Sequence, residues 1–582
     1  MSKYLVTTAL EETWPEKKDN VLFLGEWCKI YSRKHTWSKY EHEVVPYHWD
    51  DRDKLHSDYL YLESLYEILL TEFSGILNKF HDVNKTKRYW RILIGYWLGW
   101  FLHIIYDRWF SLNYVSKNHD NLNCIILEND SIKKIHNSTS EFCVKAPYDN
   151  WNEYLFSYLI INFFSERFKI KKVSRKSKSC SKHTKRKSNY LKKKFIYLIE
   201  NYNRITQREN EYFFKHTYLP KIVDLKLQIK LGQIPKIRFG RDIPKCNASE
   251  YIRKDLLHVD NPSNDRFYNV ARKILLEHLP SIFLEGYRDA VTEVKKSCWP
   301  KNPKAIFASN SFHDEDYFKL WVGEKIEQKI PLYIGQHGGN FGMSKFAFHD
   351  KYQFGICDRW LSWGWESPHE KKVVPVGNLK NYMGKVKYTP SCDALLILMD
   401  LPRYSYYLYS CPISSTQVKS YLDDQLKFLD SLPGHILGNF KVRPHHIDFG
   451  HNAKSLILDH FEDIRFDSGK YKNSIQKSKL IVSTYNATTY LETLNWNIPT
   501  ICFWNPKHWE MNDESQVFFN ELIEVGILHD DPESAAQKVE EIWDDVDCWW
   551  NSKKVQTVRD RFCNNFSRNA DNLGEIISIL KN

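Results

Sequence analysis

The sequence predicts an α/β protein of two Rossmann-like domains facing a cleft, with helical additions and a group of C-terminal helices. Three observations predict it. Short apolar, β-branched runs alternate with stretches of helical spacing along most of the chain. At 582 residues the chain exceeds what one core can organise. The alternation also restarts at residue 394, after a polar linker spanning 379–393. The expected division is an N-terminal Rossmann-like domain over 1–378, the linker, a C-terminal Rossmann-like domain over 394–535, and helices over 536–582.

In the first segment, Tyr4-Leu5-Val6, Val21-Leu22-Phe23-Leu24-Gly25 and Glu43-Val44-Val45-Pro46-Tyr47 read as strands. Polar residues after parallel strands are where such domains keep their ligand contacts. Glu26, His48, Asp50 and Asp51 are therefore candidates for acceptor binding or base catalysis, and capping or salt bridging explains each equally well. Residues 55–110 have helical spacing, 123–127 read as a strand, and 195–212 and 270–295 read as helices. The alternation then sharpens: a strand at 305–308, a helix at 314–328, and the strand Pro331-Leu332-Tyr333-Ile334. That strand runs into Gly335-Gln336-His337-Gly338-Gly339-Asn340-Phe341-Gly342. Its glycines allow close backbone approach to a ligand, and His337 can exchange a proton near neutral pH. Residues 358–365 and 372–378 complete the first half.

The second half opens on the buried strand 394–399, followed by a helix at 414–432. Phe440-Lys441-Val442-Arg443 is a strand ending in Pro444-His445-His446. In 477–504, Leu480-Ile481-Val482 feeds the hydroxyl-rich turn Ser483-Thr484-Tyr485-Asn486-Ala487-Thr488-Thr489, then a helix, then a strand at 498–504. A helix N-terminus lined with hydroxyls offers free N–H groups and a positive dipole end, which suits phosphate. With parallel strands, Lys441, Arg443, His445, Ser483, Thr484, Thr488 and Thr489 lie along one sheet edge, as a diphosphate or phosphodiester requires. Glu492, one turn into the helix, is placed to take sugar hydroxyls, or to stand as a carboxylate near a positive helix end.

The composition excludes several classes. Twelve cysteines occur without a CxxC pair or a Cys/His cluster, which argues for a reducing compartment and against zinc. There is no GxxxxGK[ST] and no GxSxG. The nearest DxD, Asp314-Glu315-Asp316, begins an ordinary helix. No metal and no cofactor are expected, because Lys, Arg, His and a helix dipole can stabilise a leaving phosphate. No signal peptide is visible at the start. The longest apolar run, 92–105, falls short of the roughly 20 residues a membrane span needs and reads as a buried helix. The net charge of +11 is concentrated: about a dozen Lys and Arg lie between Lys171 and Lys194, with no acid among them. This basic segment, 169–194, reads as a solvated insertion, or as a contact with anionic headgroups. No recognised nucleic-acid-binding module accompanies it.

The stretches LVTTALEETWPE, VLFLGEWC, EVVPYHWDDRDKL, RYWRILIGYWLGW, GQHGG, RPHH and STYNATTYLETLNWNIPTICFW together resemble a bacterial family of transferases found with surface-polysaccharide genes. A wider similarity runs to two groups of GT-B-like enzymes. In CDP-glycerol glycerophosphotransferases a His-Gly pair acts on the acceptor hydroxyl, and His337-Gly338 looks like that pair. In capsule transferases using CMP-sialic acid or CMP-Kdo, a His-Pro motif and a Ser/Thr motif hold the nucleotide phosphate. Ser483-Thr484 is similar to the second motif. The first is reversed here as Pro444-His445, which leaves either His445 or His446 as its counterpart. The resemblance implies a metal-independent GT-B transferase acting on a nucleotide-activated sugar, with a CMP-linked acidic sugar favoured. Its acceptor would be a surface polysaccharide or a lipid-linked glycan, bound by the N-terminal domain. The alternatives are a CDP-polyol phosphotransferase, a nucleotide-sugar epimerase or hydrolase, and a non-catalytic assembly factor. The expected location is cytoplasmic and peripheral to the inner membrane face, with the basic run at the surface.

Overall fold

A computed structural model of the chain describes residues 2–128, 135–174, 190–257, 263–381, 386–405, 407–570 and 573–581. Its architecture is three parallel sheets wrapped by helices. The first runs His42–Val44, Val21–Phe23, Lys3–Val6, Leu122–Glu128, Phe168–Ser174 in spatial order. The second runs Val373–Pro375, Arg359–Ser362, Leu332–Gly335, Ile306–Ala308, Phe213–Lys215. The third runs Arg465–Phe466, Phe440–Arg443, Ala394–Ile397, Leu480–Ser483, Thr500–Phe503, Leu528–His529. Every pairing is parallel. The central strands are continuous apolar runs buried on both faces, as parallel sheets covered by helices require.

The region expected as one Rossmann-like domain, 1–378, thus contains two separate five-stranded sheets. Phe213–Lys215, the edge strand of the second, is only three residues long and ends in a lysine, so it carries little sequence signal. Lys215 is nevertheless buried, with its ammonium 2.8 Å from Glu315. The ends of the expected basic insertion, 169–174 and 190–194, lie instead in regular secondary structure. Residues 168–174 form an edge strand paired with Leu122–Glu128; Phe168 is buried and the lysines are exposed. Lysines on an edge strand discourage pairing with other chains. Residues 175–189 of that basic run lie outside the described residues.

The apolar run 92–105 is a buried helical segment: a π-helical turn, Arg91–Gly95, leads into Tyr96–Asn118. Gly99 lets it lie against Phe348, since a Cβ there would come within 2.0 Å of the ring. Among the described residues no helix is long and apolar enough to cross a membrane.

The carboxyl ends of the second and third sheets face each other, with the turn after Leu332–Gly335 touching the helix that follows Leu480–Ser483. The chain leaves the second sheet after Asn378, enters the third at Ala394, and returns through 567–570. Asn378 and Asn569 form a parallel bridge at this double crossing, and Gly377 comes within contact of Arg568 and Ala570. The C-terminal helices accordingly serve different sheets. Pro532–Ile542 packs on the third sheet, while Leu573–Lys581 covers the second with Leu573, Ile576 and Leu580. The first sheet's carboxyl end also abuts the third unit: Arg403 bonds to the Trp27 carbonyl and the Asp149 carboxylate, and Arg52 pairs with Glu510 at 2.5 Å.

Candidate active site

Strand Leu332–Gly335 is fully buried and aims the turn 336–342 at the third sheet. The buried Gln336 fixes that turn. Its amide donates to the Gly338 carbonyl at 2.8 Å, and its carbonyl oxygen accepts from the Trp363 amide at 2.8 Å and the Trp365 indole at 3.0 Å. Gly342 has φ +71°, and a Cβ there would lie 2.4 Å from Trp365, so only glycine fits both the backbone and the space. The Gly339 amide donates to Thr488 Oγ1 at 3.1 Å. A Cβ on Gly339 would meet the Ala487 carbonyl at 2.4 Å. The His337 turn and the N-terminus of helix Thr488–Asn495 are therefore in direct contact.

His337 is half-buried among rings: Phe341 at 4.9 Å, His313 at 5.1 Å and Tyr218 at 5.8 Å between centroids. Burial pushes its pKa down to about 4, against the opposing pull of the Gly335 backbone. The imidazole is therefore neutral at pH 7, the form that accepts a proton.

On the opposite lobe, Ser483 ends its strand fully buried, and its hydroxyl has no hydrogen-bond partner among the described residues. Buried hydroxyls are nearly always bonded, which makes this one a candidate contact for a ligand or water. Thr488 accepts from Gly339. Thr484 is committed to the fold, donating to the Ile397 carbonyl at 2.8 Å and sharing a 2.7 Å bond with the Tyr421 hydroxyl. Thr489 is bonded to the Tyr485 hydroxyl at 2.7 Å. Glu492 is buried and doubly engaged, by the Tyr471 hydroxyl at 2.8 Å and by Lys380 at 2.7 Å.

The cations of the third sheet are also paired. Lys441 sits 2.5 Å from Asp393, and Arg443 pairs with Asp467 while donating to the Gly469 carbonyl at 3.0 Å. Strand alternation sends both onto the face where these carboxylates lie. The His445 and His446 rings lie 4.3 Å apart, tilted by 56°, with His445 Nδ1 3.0 Å from the Ile447 carbonyl oxygen. Their strand lies two positions from that of Ser483, roughly 10 Å away at the usual strand spacing.

The four residues expected to bind an acceptor are drawn elsewhere. Glu26 pairs with Lys29 at 3.1 Å and lies 3.9 Å from Lys419. His48 Nε2 lies 3.0 Å from Asp107, a buried carboxylate that also accepts from the Tyr47 hydroxyl and pairs with Arg108. Asp50 accepts from Gln417 at 3.2 Å, and Asp51 caps helix Arg52–His81 through the Lys54 amide at 3.0 Å. None of these partners belongs to the His337 turn.

Two residues with no motif to announce them join that turn instead. His313 follows strand Ile306–Ala308, and His349 stands in the first turn of helix Phe348–Ile356; their rings are 5.3 Å apart. Next to His349, Asp350 accepts from the Gly342 amide at 3.0 Å, and its other oxygen is unbonded. Burial raises its pKa to about 7, only partly offset by the Gly342 bond. The folded state thus holds this proton more tightly than the unfolded chain does. The associated stability is complete below the ordinary carboxylate range and lost as pH rises through about 7. Asp350→Asn is expected to remove that slope, with a gain of up to a few kcal/mol at pH 8. Urea melts from pH 5 to 8 that keep the wild-type slope in the variant would refute it.

Residues 3–579 match the profile of a family described as LIC12162 family transferase. No curated protein is similar enough to match. Among solved structures, the S. aureus MnaA–UDP co-structure aligns over 64% of this chain and 96% of its own, at 10% identity and TM-score 0.35. A structure of the wall teichoic acid polymerase TagF soaked with CDPG aligns over 67% of this chain and 94% of its own, at 10% identity and TM-score 0.28. Both are partial likenesses, and the fold stands on the sheets themselves.

Proposed function

The chain belongs to the LIC12162 family of transferases, and from that premise we propose that it moves a sugar from a nucleotide-activated donor onto a surface-polysaccharide or lipid-linked glycan. A CMP-linked acidic sugar is the favoured donor, on the likeness of Ser483-Thr484 to the capsule transferases. One observation carries the proposal: the Gly339–Thr488 bond holds a neutral imidazole turn against the helix end that follows the unbonded Ser483.

His337 takes the proton from the acceptor hydroxyl as its oxygen bonds to the sugar carbon. The bond from that carbon to the donor phosphate breaks, and the phosphate leaves with the electron pair. Charge develops on the phosphate oxygens, and the Ser483 hydroxyl and the helix N–H groups meet it there. Lys441 and Arg443 are already balanced by Asp393 and Asp467, so they add less than free cations would. A thermal-shift panel of CMP, CDP, UDP and GDP tests the reading. A nucleotide at 100 times its dissociation constant adds about 2.7 kcal/mol of stability. Silence across all four refutes it.

Peripheral membrane contact belongs to the same proposal. Helix Tyr190–Thr206 follows the basic run and leaves Phe195, Leu198, Tyr202 and Ile205 exposed at 57, 57, 46 and 85%. Their spacing of three, four and three places them on one helix face. An apolar stripe beside clustered lysines suits an anionic lipid surface. Flotation with phosphatidylserine vesicles is expected to recover the protein, and Leu198→Ser with Ile205→Ser to reduce recovery several-fold. Equal recovery with purely zwitterionic vesicles, or none with either, counts against it.

A further inference from the structure

Beyond the proton transfer assigned to His337 lies the question of what presents the hydroxyl. We propose that His313, His337 and His349, walled by Tyr96, Phe341 and Tyr407, form the acceptor subsite, and that it takes an uncharged sugar ring. The proposal rests on the transferase reading above and adds a substrate class to it.

The three imidazoles come from three elements: the turns after Ile306–Ala308 and Leu332–Gly335, and helix Phe348–Ile356. They meet edge to face at 5.1 and 5.3 Å. All three are half-buried, and each has one ring nitrogen enclosed without a hydrogen-bond partner: Nε2 of His313, Nδ1 of His337 and Nε2 of His349. One such atom is ordinary, but three in one cluster call for an explanation. Among the described residues no group of three His, Cys, Asp or Glu is placed to hold a metal ion. Hydroxyl groups, which both donate and accept, match neutral imidazoles in either tautomer.

The walls fit the same ligand. Tyr96 stacks on His313 at 4.7 Å with 15° between planes, Phe341 lies 4.9 Å from His337, and Tyr407 lies 4.5 Å from His349. These rings pack directly on the imidazoles, hold them in place and surround their partly exposed edges with apolar surface, which suits the C–H groups of a pyranose better than an ionic ligand. The charges argue against an anionic acceptor. Lys319, whose charge acts on His313, is committed to Asp316 at 2.6 Å and Thr139 at 2.8 Å. An acceptor phosphate or carboxylate entering this cluster would lose its water without gaining a free cation from the described residues around it. In this assignment His337 meets the attacking hydroxyl, while His313 and His349 are positioning residues for its neighbours on the ring.

Saturation-transfer NMR on the full chain tests this with methyl β-D-glucopyranoside, methyl β-D-galactopyranoside, methyl N-acetyl-β-D-glucosaminide and glycerol 1-phosphate. At least one glycoside is expected to receive saturation and glycerol 1-phosphate none. His313→Phe and His349→Phe, which keep a ring in place, should cut the glycoside signal fivefold or more. His349→Gln, which keeps a polar donor and acceptor, should retain more of it than His349→Phe. Signal from glycerol 1-phosphate alone, no glycoside signal, or equal signals in wild type and both Phe variants would overturn the proposal. Equal loss in His349→Gln and His349→Phe would also overturn it, by pointing to packing. The nucleotide panel is read separately, so failure of the donor reading and failure of this one remain distinct results.

Discussion

His337→Ala is expected to lower transfer by about 10²–10⁴-fold, the range that a positioned general base contributes. Nucleotide binding should change little, because the helix end and Ser483 belong to the other lobe. The imidazole's pKa of about 4 gives the prediction a second, sharper form. A base that stays unprotonated down to that pH should keep the reaction running through pH 5 and 6, where an ordinary histidine would already be charged. The acidic limb of kcat/KM is therefore expected near 4, measured as nucleotide released over pH 3.5–8. So weak a base suits a late proton transfer, when the attacking oxygen has already bonded to carbon and become acidic. A limb near 6.5, or an alanine variant of unchanged activity, would remove His337 from the chemistry.

Gly339→Ala should cost nearly as much activity without touching a reacting group. The added methyl would lie 2.4 Å from the Ala487 carbonyl and 2.9 Å from the Thr488 amide, so backbone must move. Overpacking of this kind costs about 1–3 kcal/mol. The greater effect falls on alignment, since a displacement near 1 Å between reacting groups can cost about 10²-fold. The variant is expected to melt a few degrees lower, bind nucleotide, and turn over about a hundredfold more slowly. Gly434→Ala, where a Cβ meets nothing within 4 Å, is the control. Similar turnover in Gly339→Ala and the control would show that the lobe contact is incidental.

Much of this site was legible in the residues because its elements are local. The strand, turn, helix and strand of 477–504 appear as Leu480–Ser483, Thr488–Asn495 and Thr500–Phe503. The glycine turn likewise appears where expected, directly after the buried strand Leu332–Gly335. What the sequence concealed is long-range pairing. Lys441 and Arg443 look like free cations until Asp393 and Asp467 fold against them. Thr484 looks like a ligand until the Ile397 carbonyl, on the neighbouring strand, takes its hydroxyl. His313 and His349 have no motif, because only the folding of separate elements brings them beside His337. That residues 1–378 hold two sheets was hidden for a different reason: strands such as Phe213–Lys215 are too short to show a period.

The paired crossings at Asn378 and Asn569 bear on how the enzyme could breathe. Two chain segments running side by side act like the twin leaves of a door hinge, resisting twist while permitting a swing about one axis. The first sheet, bolted to the opposite rim through Arg403 and Arg52, limits even that swing. Substrates would then enter and products depart through small local adjustments of turns and side chains, with little separation of the halves.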